Sequence, residues 1–216
     1  MCLQAIKESL KATGFAILRK VSAGDVSEII SSVGDVIHTQ DILHQALSTE
    51  MLFSTTSMPF HNDHPAASYI AWHCKSQAEA GGESLLVDLQ CIIKSLPKKT
   101  VSLIKSINIY CPSLCSKKRY KIPMISPHGI YYAEWLIDKD ITHEQHVALT
   151  EFKSIVDSTE KIVVKLGNND LLIIDNRRLM HGRTPFVNGG TARHLVRYWI
   201  TEKKEEGYGA IIRKMP

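Results

Sequence analysis

The sequence predicts an α+β fold in which short antiparallel strands build a jelly roll or sandwich. Helical spacing of apolar residues marks the first part of the chain, and many short apolar runs separated by turns follow it. Helices first and short strands afterwards favour a sheet core with flanking helices. Composition does not shift along the chain and no internal repeat is present, so we expect a single domain over residues 1–216.

Three stretches carry apolar residues on one helical face. The first lies before Gly14, the second runs from Asp25 to Gly34, and the third runs from Thr142 to Ser158. A glycine ends each of the first two stretches and interrupts the helical pattern there. Thr142 is an N-cap residue type with an acidic residue in the turn that follows, so we expect the third helix to begin at this threonine.

Short apolar runs predict six strands: Phe15–Leu18, Tyr69–Trp72, Leu85–Val87, Ser106–Cys111, Ile130–Tyr132 and Arg193–Thr201. Two further runs, Ile162–Val164 and Leu171–Ile174, flank the turn residues Gly167 to Asp170. This order predicts a β-hairpin. Residues 38–58 show no clean periodicity, and we expect them to form a mobile loop.

The charge balance argues against nucleic-acid binding as the main function. Lysine and arginine total 26, aspartate and glutamate total 22, and the formal net charge is +4. Only 7% of the residues are aromatic. Nucleic-acid binding usually needs a basic groove and stacking aromatic side chains, so we expect no nucleic-acid partner.

Membrane insertion and a disulfide framework are also disfavoured by the sequence. No stretch approaches the roughly 18 apolar residues that cross a bilayer. The first twenty residues mix charged and apolar side chains and lack the apolar core of a signal peptide. The five cysteines contain no Cys-x-x-Cys pair, which argues against a disulfide framework or a zinc ribbon. We therefore expect a cytoplasmic protein without a membrane partner.

Two separated motifs could together bind one metal ion. In His61-Asn62-Asp63, an extended backbone turns His61 and Asp63 to the same face, where they offer an imidazole nitrogen and a carboxylate oxygen. Far downstream, an apolar strand and a polar turn lead to His181. Two histidines and one carboxylate cover one face of an octahedral ion, an arrangement typical of non-haem Fe(II) oxygenases. Zinc would more often have three histidines or cysteines.

Two arginines in the last predicted strand indicate an anion site. Arg193 and Arg197 lie four residues apart, so both project from the same face of a strand. Burying two guanidinium groups in one interior costs free energy unless anions pair with them. A guanidinium group can pair with a carboxylate through two hydrogen bonds. The alternative is a pair of surface arginines on a charged strand.

The order of these motifs resembles the Fe(II)/2-oxoglutarate-dependent dioxygenases of the taurine dioxygenase and clavaminate synthase-like family. The resemblance covers roughly residues 59–201 and rests on His61-x-Asp63, Gly81-Gly82-Glu83-Ser84, the Asn-Arg-containing strand that ends in His181, and Arg193-x-x-x-Arg197. It implies a double-stranded β-helix, a jelly-roll core of cupin type, with flanking helices.

The resemblance also implies roles for individual side chains. The iron ligands and catalytic centre would be His61, Asp63 and His181. Arg193 would hold the distal carboxylate of the co-substrate 2-oxoglutarate, and Ser84 falls where the family uses a hydroxyl residue that helps to bind it. Arg197 would correspond to a second family arginine that often faces an acidic group of the substrate.

The implied activity uses Fe(II) and O2 to couple decarboxylation of 2-oxoglutarate, to succinate and CO2, with hydroxylation of a small polar substrate. An amino acid or another carboxylate would suit Arg197. Two alternatives stay open: a nucleic-acid or protein demethylase with the same iron chemistry, and a cupin-like metal-binding protein without 2-oxoglutarate turnover.

Most family members have more chain before the first histidine than the sixty residues that precede His61. The active-site pocket is therefore expected to be more open, closed by residues 38–58, or completed by a partner subunit in a homo-oligomer.

Overall fold

A computed structural model describes residues 3–44, 48–127, 129–187 and 192–203. Within these ranges the α-helices are α1 (Leu3–Thr13), α2 (Ala23–Val33), α3 (Leu89–Ser95), α4 (Lys98–Lys105) and α5 (His143–Ser158), with a 3-10 helix over Glu134–Leu136. None of the helices in the described ranges combines the length and the apolar run that crossing a bilayer requires.

The strands described in the same ranges are all short or of moderate length. They are β1 (Phe15–Leu18), β2 (Asp35–Leu43), β3 (Met58–His61), β4 (Tyr69–Ser76), β5 (Ala80–Gly81), β6 (Ser84–Asp88), β7 (Asn108–Pro112), β8 (Arg119–Pro123), β9 (Ile125–Ser126), β10 (Gly129–Ile130), β11 (Ile162–Val164), β12 (Leu171–Asp175), β13 (Leu179–Arg183), β14 (Phe186–Val187) and β15 (His194–Thr201).

Two antiparallel sheets form the centre of the molecule. The larger sheet has the strand order β1-β12-β4-β15-β2, and the smaller sheet has the order β11-β6-β13-β3. Three two-stranded pairs, β10-β9, β14-β5 and β7-β8, extend this core. Neighbours within each sheet are mostly distant in sequence, so the strands weave between the two sheets and do not form a simple meander.

A buried apolar layer lies between the two sheets. Ile70, Trp72 and Cys74 of β4 face Leu86 of β6 and Leu179 of β13 in one cluster. Residues at the intervening positions turn outward, because successive strand side chains alternate between faces. Ala71 accordingly packs on the helical side of the larger sheet.

The helices cover the outer faces of the two sheets. Helices α1 and α2 pack on the larger sheet, whereas α3, α4 and α5 pack on the smaller one. Ser22 caps α2 by accepting a hydrogen bond from the backbone N–H of Asp25. Thr142 and Gln145 form a reciprocal capping box at the start of α5, as the position of Thr142 predicts. The predicted α+β architecture of antiparallel strands with flanking helices is confirmed.

The predicted hairpin over residues 162–174 is wrong. Strand β11 pairs with β6, whereas β12 pairs with β1 and β4 in the other sheet. The connection crosses from one sheet to the other and is held by the carboxylate of Asp170, which is 4% exposed. This carboxylate accepts hydrogen bonds from the backbone N–H groups of Gly167 (2.7 Å) and Lys20 (3.1 Å) and from Arg19 (2.5 Å).

The expectation of an irregular loop over residues 38–58 is wrong for its first part. Residues 38–43 belong to β2, which lies at the edge of the larger sheet and pairs with β15. Only Ile42 of this strand is buried. An edge strand exposed to water on most positions has no apolar alternation, which is why the sequence pattern did not show it. Residues 48–57 have no helix or strand, and their mobility stays a prediction.

The close contact between the end of α2 and β15 yields a stability prediction. A Cβ atom added at Gly34 would lie 2.1 Å from the carbonyl oxygen of Thr201. We expect Gly34→Ala to lower the free energy of unfolding by about 1–3 kcal/mol, because the backbone must shift to relieve overpacking. Gly24→Ala in α2 is the matched control, since the nearest side-chain atom is 3.9 Å away, at Ser22. Urea denaturation measures both, and equal stability of the two variants would contradict the prediction.

Candidate metal centre and substrate pocket

Two neighbouring strands of the smaller sheet bring the predicted histidine ligands side by side. His61 ends β3 and pairs in register with His181 of β13, and the two ring centroids are 4.2 Å apart. Asp63 lies two residues beyond β3, with Oδ1 4.0 Å from Nε2 of His61 and Oδ2 4.0 Å from Nε2 of His181. One ligand atom from each of the three residues lies within 4.8 Å of the others.

The three side chains have the protonation states that a metal site requires. Burial lowers the pKa of His61, and burial together with the neighbouring His61 lowers the pKa of His181 well below its usual value. Burial alone would raise the pKa of Asp63, but Arg197 and the two histidines reverse this, and the net shift is downward. Neutral imidazoles beside an ionised carboxylate are what a divalent metal binds.

The tautomer of His61 also suits a metal ligand. Its Nδ1 donates a hydrogen bond to the carbonyl oxygen of Pro59, 2.9 Å away. The lone pair therefore lies on Nε2, the atom that faces Asp63, and the carbonyl of Pro59 holds the ring in place. Two histidines and one carboxylate are the donor set typical of non-haem Fe(II) sites.

Two buried asparagines hold the backbone around Asp63. Asn176 is completely buried; its Oδ1 accepts from the N–H of Asp63 (2.9 Å), and its Nδ2 donates to the carbonyl of Ala67 (3.0 Å). Asn62 donates to the carbonyls of Asn176 (2.7 Å) and Leu179 (3.0 Å). Sequence reasoning assigned neither asparagine a role of its own. The available signal was an asparagine directly after β12, the first four residues of which are buried.

Arg193 and Ser84 line one narrow cavity beside His181. Arg193 is 2% exposed, and burial lowers its pKa to about 10, so the guanidinium stays charged at neutral pH. Its neighbours include the neutral Oε1 of Gln77, 2.9 Å from Nε. Gly82 has φ +71°, and a Cβ at this position would lie 3.1 Å from Nε of Arg193, so the glycine leaves room for the guanidinium. A buried cation and a hydroxyl group fit the carboxylate of 2-oxoglutarate.

A third arginine, which sequence reasoning did not single out, connects this cavity to residues 51–56. Nη2 of Arg183 donates to the carbonyls of Ser54 and Thr56, both at 2.8 Å. Its Nη1 donates to Nε2 of His44 at 2.6 Å, and the same Nε2 lies 3.4 Å from Nη1 of Arg193. Burial, with Arg193 and Arg183 beside it, lowers the pKa of His44 to about 3, so this ring is a neutral acceptor between two cations.

Arg197 reaches the same site but has an acidic partner within the protein. It is 8% exposed and lines the cavity together with Arg193, which confirms that both side chains face one interior. Its Nη1 lies 2.8 Å from Oδ1 and 3.1 Å from Oδ2 of Asp63. The acidic group that Arg197 meets is therefore the carboxylate of a predicted metal ligand.

A wider pocket of about 480 Å³ adjoins the triad at His61 and Asp63, and its walls are mostly apolar and aromatic. The chain has three tryptophans, and each contacts a different member of the triad. The ring of Trp72 is 4.9 Å from that of His181, the ring of Trp135 is 5.2 Å from that of His61, and Nε1 of Trp199 donates to Asp63. Sequence reasoning named none of the three as a site residue.

An antiparallel double-sheet core with two histidines and one aspartate gathered between its strands is the arrangement of non-haem iron oxygenases. The sequence model of one family, described as taurine catabolism dioxygenase TauD, TfdA family, matches residues 3–199. The chain belongs to this family.

Comparison with individual proteins agrees with this assignment. The chain is 24% identical to human gamma-butyrobetaine dioxygenase over 221 residues, which cover 87% of this chain and 57% of that protein. It therefore spans little more than half the length of the curated relatives it matches. Asparagine oxygenase, solved with Fe(II), (2S,3S)-3-hydroxyasparagine and succinate, aligns with a TM-score of 0.76 at 17% identity and covers 93% of this chain and 79% of that one.

A second solved structure has the same fold. OrfP, in complex with Fe, succinate and (3S)-hydroxy-L-Arg, aligns with a TM-score of 0.72 at 14% identity over 93% of this chain and 81% of that one. These alignments confirm the predicted double-stranded β-helix core with flanking helices.

The asparagine network around Asp63 can be tested directly. We expect Asn176→Ala to lower the free energy of unfolding by about 3 kcal/mol, because several buried backbone groups lose their partner. Affinity for Mn(II) should fall about tenfold, since Asp63 is no longer held in place. Urea denaturation and titration calorimetry measure the two effects.

Asn168→Ala is the matched control for this prediction. The side chain of Asn168 accepts a hydrogen bond from the backbone N–H of Gln77 in an exposed turn, away from the triad. We expect its loss to cost less than about 1 kcal/mol and to leave Mn(II) binding unchanged. Equal effects of the two variants would contradict the role assigned to Asn176.

Proposed function

We propose that the protein is an Fe(II)/2-oxoglutarate-dependent dioxygenase that hydroxylates a C–H bond of a small polar substrate. The observation that carries this proposal is the group of His61, Asp63 and His181, whose ligand atoms lie within 4.8 Å of one another in a chain of the TauD, TfdA family. The reaction consumes O2 and 2-oxoglutarate and yields succinate, CO2 and the hydroxylated substrate.

His61, Asp63 and His181 would hold the metal, and a set of only three protein ligands would leave room for co-substrates to bind it. Iron bound there supplies the oxidising chemistry that joins decarboxylation of 2-oxoglutarate to oxygen insertion into the substrate. Arg193 binds the distal carboxylate of 2-oxoglutarate with its guanidinium, and Ser84 donates a hydrogen bond to the same carboxylate. The burial of Arg193 strengthens this interaction, because little water competes for the charge.

The wider pocket binds the substrate beside the metal. Its aromatic and aliphatic walls, which include Trp135, Trp199 and Tyr131, exclude water from the reacting centre and orient the substrate C–H bond. An amino acid is the substrate class we favour, because the asparagine oxygenase and OrfP structures contain hydroxylated amino acids. The cytoplasmic location and a homo-oligomer stay predictions from the sequence.

Turnover of 2-oxoglutarate is the direct test of this function. With Fe(II), ascorbate and air, we expect the protein to convert 2-oxoglutarate to succinate, and the rate should rise when the substrate is present in a screened metabolite pool. His61→Ala should lower succinate release about 100-fold or more, since it removes a metal ligand. His146→Ala, which changes an exposed histidine of α5, is the control and should keep wild-type turnover. The proposal fails if the wild type releases no succinate on any pool.

The co-substrate site predicts a separate kinetic effect. Arg193→Met should raise the KM for 2-oxoglutarate about 100-fold, because a buried carboxylate loses its charged partner. Ser84→Ala should raise it about tenfold, the effect of one hydrogen bond to a charged group. Mn(II) affinity in the absence of 2-oxoglutarate should stay within a factor of about three in both variants, since neither side chain is a ligand. Turnover that is indifferent to Arg193→Met would instead favour a cupin-like metal site without 2-oxoglutarate.

A further inference from the structure

Three hydrogen bonds from one strand converge on the carboxylate of Asp63. Nη1 of Arg197 lies 2.8 Å from Oδ1 and 3.1 Å from Oδ2, and Nε1 of Trp199 lies 3.0 Å from Oδ2. The side chains of Arg197 and Asp63 are 9% and 7% exposed, so water has little access to this ion pair. Hydrogen bonds between charged groups are roughly twice as strong as neutral ones, and they fix orientation as well as distance.

Both donors are themselves held by other parts of the fold. Arg197 and Trp199 lie two residues apart on β15, so their side chains leave the strand on the same face. Nη2 of Arg197 donates to Oε1 of Gln40 on the neighbouring strand β2, 2.5 Å away. The ring of Trp199 stacks on His64 with centroids 5.6 Å apart and lies 4.9 Å from the ring of His38. The carboxylate is thus oriented by a rigid support.

The two oxygens of Asp63 are used unequally. A carboxylate oxygen has two lone pairs, and Oδ2 accepts hydrogen bonds from both Arg197 and Trp199. Within the described residues, Oδ1 accepts from Arg197 and keeps one lone pair. We propose that Arg197 and Trp199 position Asp63 so that it binds the metal through Oδ1 alone, an inference that rests on the proposed function. Single-oxygen binding keeps a coordination position free that a two-oxygen carboxylate would occupy.

This role differs from binding an acidic group of the substrate. Both terminal nitrogens of Arg197 already have acceptors in the protein, namely Asp63 and Gln40. Its charge is paired with that of Asp63 in the interior. Arg197 is therefore a positioning residue that acts through a metal ligand, and the family's second arginine serves a different purpose in this chain.

Metal affinity distinguishes an Arg197 that positions Asp63 from an Arg197 that binds an acidic group of the substrate. Titration calorimetry with Mn(II), a redox-stable ion, should give a Kd about 10- to 100-fold higher for Arg197→Met than for the wild type. Arg197→Lys, which keeps the charge but not the planar pair of donors, should lie between them. Trp199→Phe keeps an aromatic side chain but replaces the indole by a smaller phenyl ring that has no N–H, so we expect a rise of about three- to tenfold.

The chain offers a matched control for the loss of an arginine–carboxylate pair. Arg177 bonds Glu202 at 3.1 Å and 2.5 Å and lies outside the triad. Arg177→Met should leave the Kd for Mn(II) unchanged. Thermal unfolding followed by circular dichroism checks that each variant is folded, and Trp199→Phe carries the comparison should Arg197→Met fail to fold.

The absorption spectrum of the Co(II)-loaded protein is a second measurement, because its visible bands report the geometry of the ligands. We expect altered bands in Trp199→Phe and Arg197→Met, and wild-type bands in Arg177→Met. Wild-type Mn(II) affinity and wild-type Co(II) bands in Trp199→Phe and Arg197→Met would overturn the positioning role alone. A wild-type protein that binds neither ion would overturn the proposed function together with this inference.

Discussion

The buried carboxylate of Asp63 ties the two sheets together at the candidate site. A charge removed from water is costly unless it is paired and hydrogen-bonded. Its partners come from the larger sheet and from a turn beside it: Arg197 and Trp199 on β15, and Asn176 after β12 for the backbone. Because Asp63 itself follows β3 of the smaller sheet, the sheets cannot separate at this end without leaving a buried charge unpaired.

The interior between the sheets changes from apolar to polar along its length. One part is a tight aliphatic cluster, whereas the other contains the triad together with Arg183, Arg193 and Arg197. Such a polar interior is stable only when each cation has acceptors. Arg183 donates to backbone carbonyls, Arg197 to Asp63, and Arg193 to Gln77 and the carbonyl of Gly82. The polar end of the sandwich therefore needs the most hydrogen-bond partners in order to be stable. It is also the part of the fold that contains the candidate site.

Local sequence patterns predicted much of the fold, and the exceptions have one physical cause. The helix after Thr142 and the strands β1, β4, β12 and β15 carry their signal in nearby residues, namely caps and short apolar runs. The predictions of a hairpin over residues 162–174 and of a loop over residues 38–43 were wrong, because strand pairing depends on partners far away in the chain. Strand β2 is defined by hydrogen bonds to β15 and not by its own apolar pattern.

The candidate ligands His61, Asp63 and His181 and the family of the chain could be predicted from the sequence, since both depend on residue types in a fixed order. The side chains that support these ligands became visible in the folded chain. The pairing of β3 with β13 brings the histidines together, and Asn176 and Arg197 gain their roles from contacts across more than a hundred residues of chain. The direction of a side chain and the partner of a buried charge follow from packing between distant strands, which no local pattern encodes.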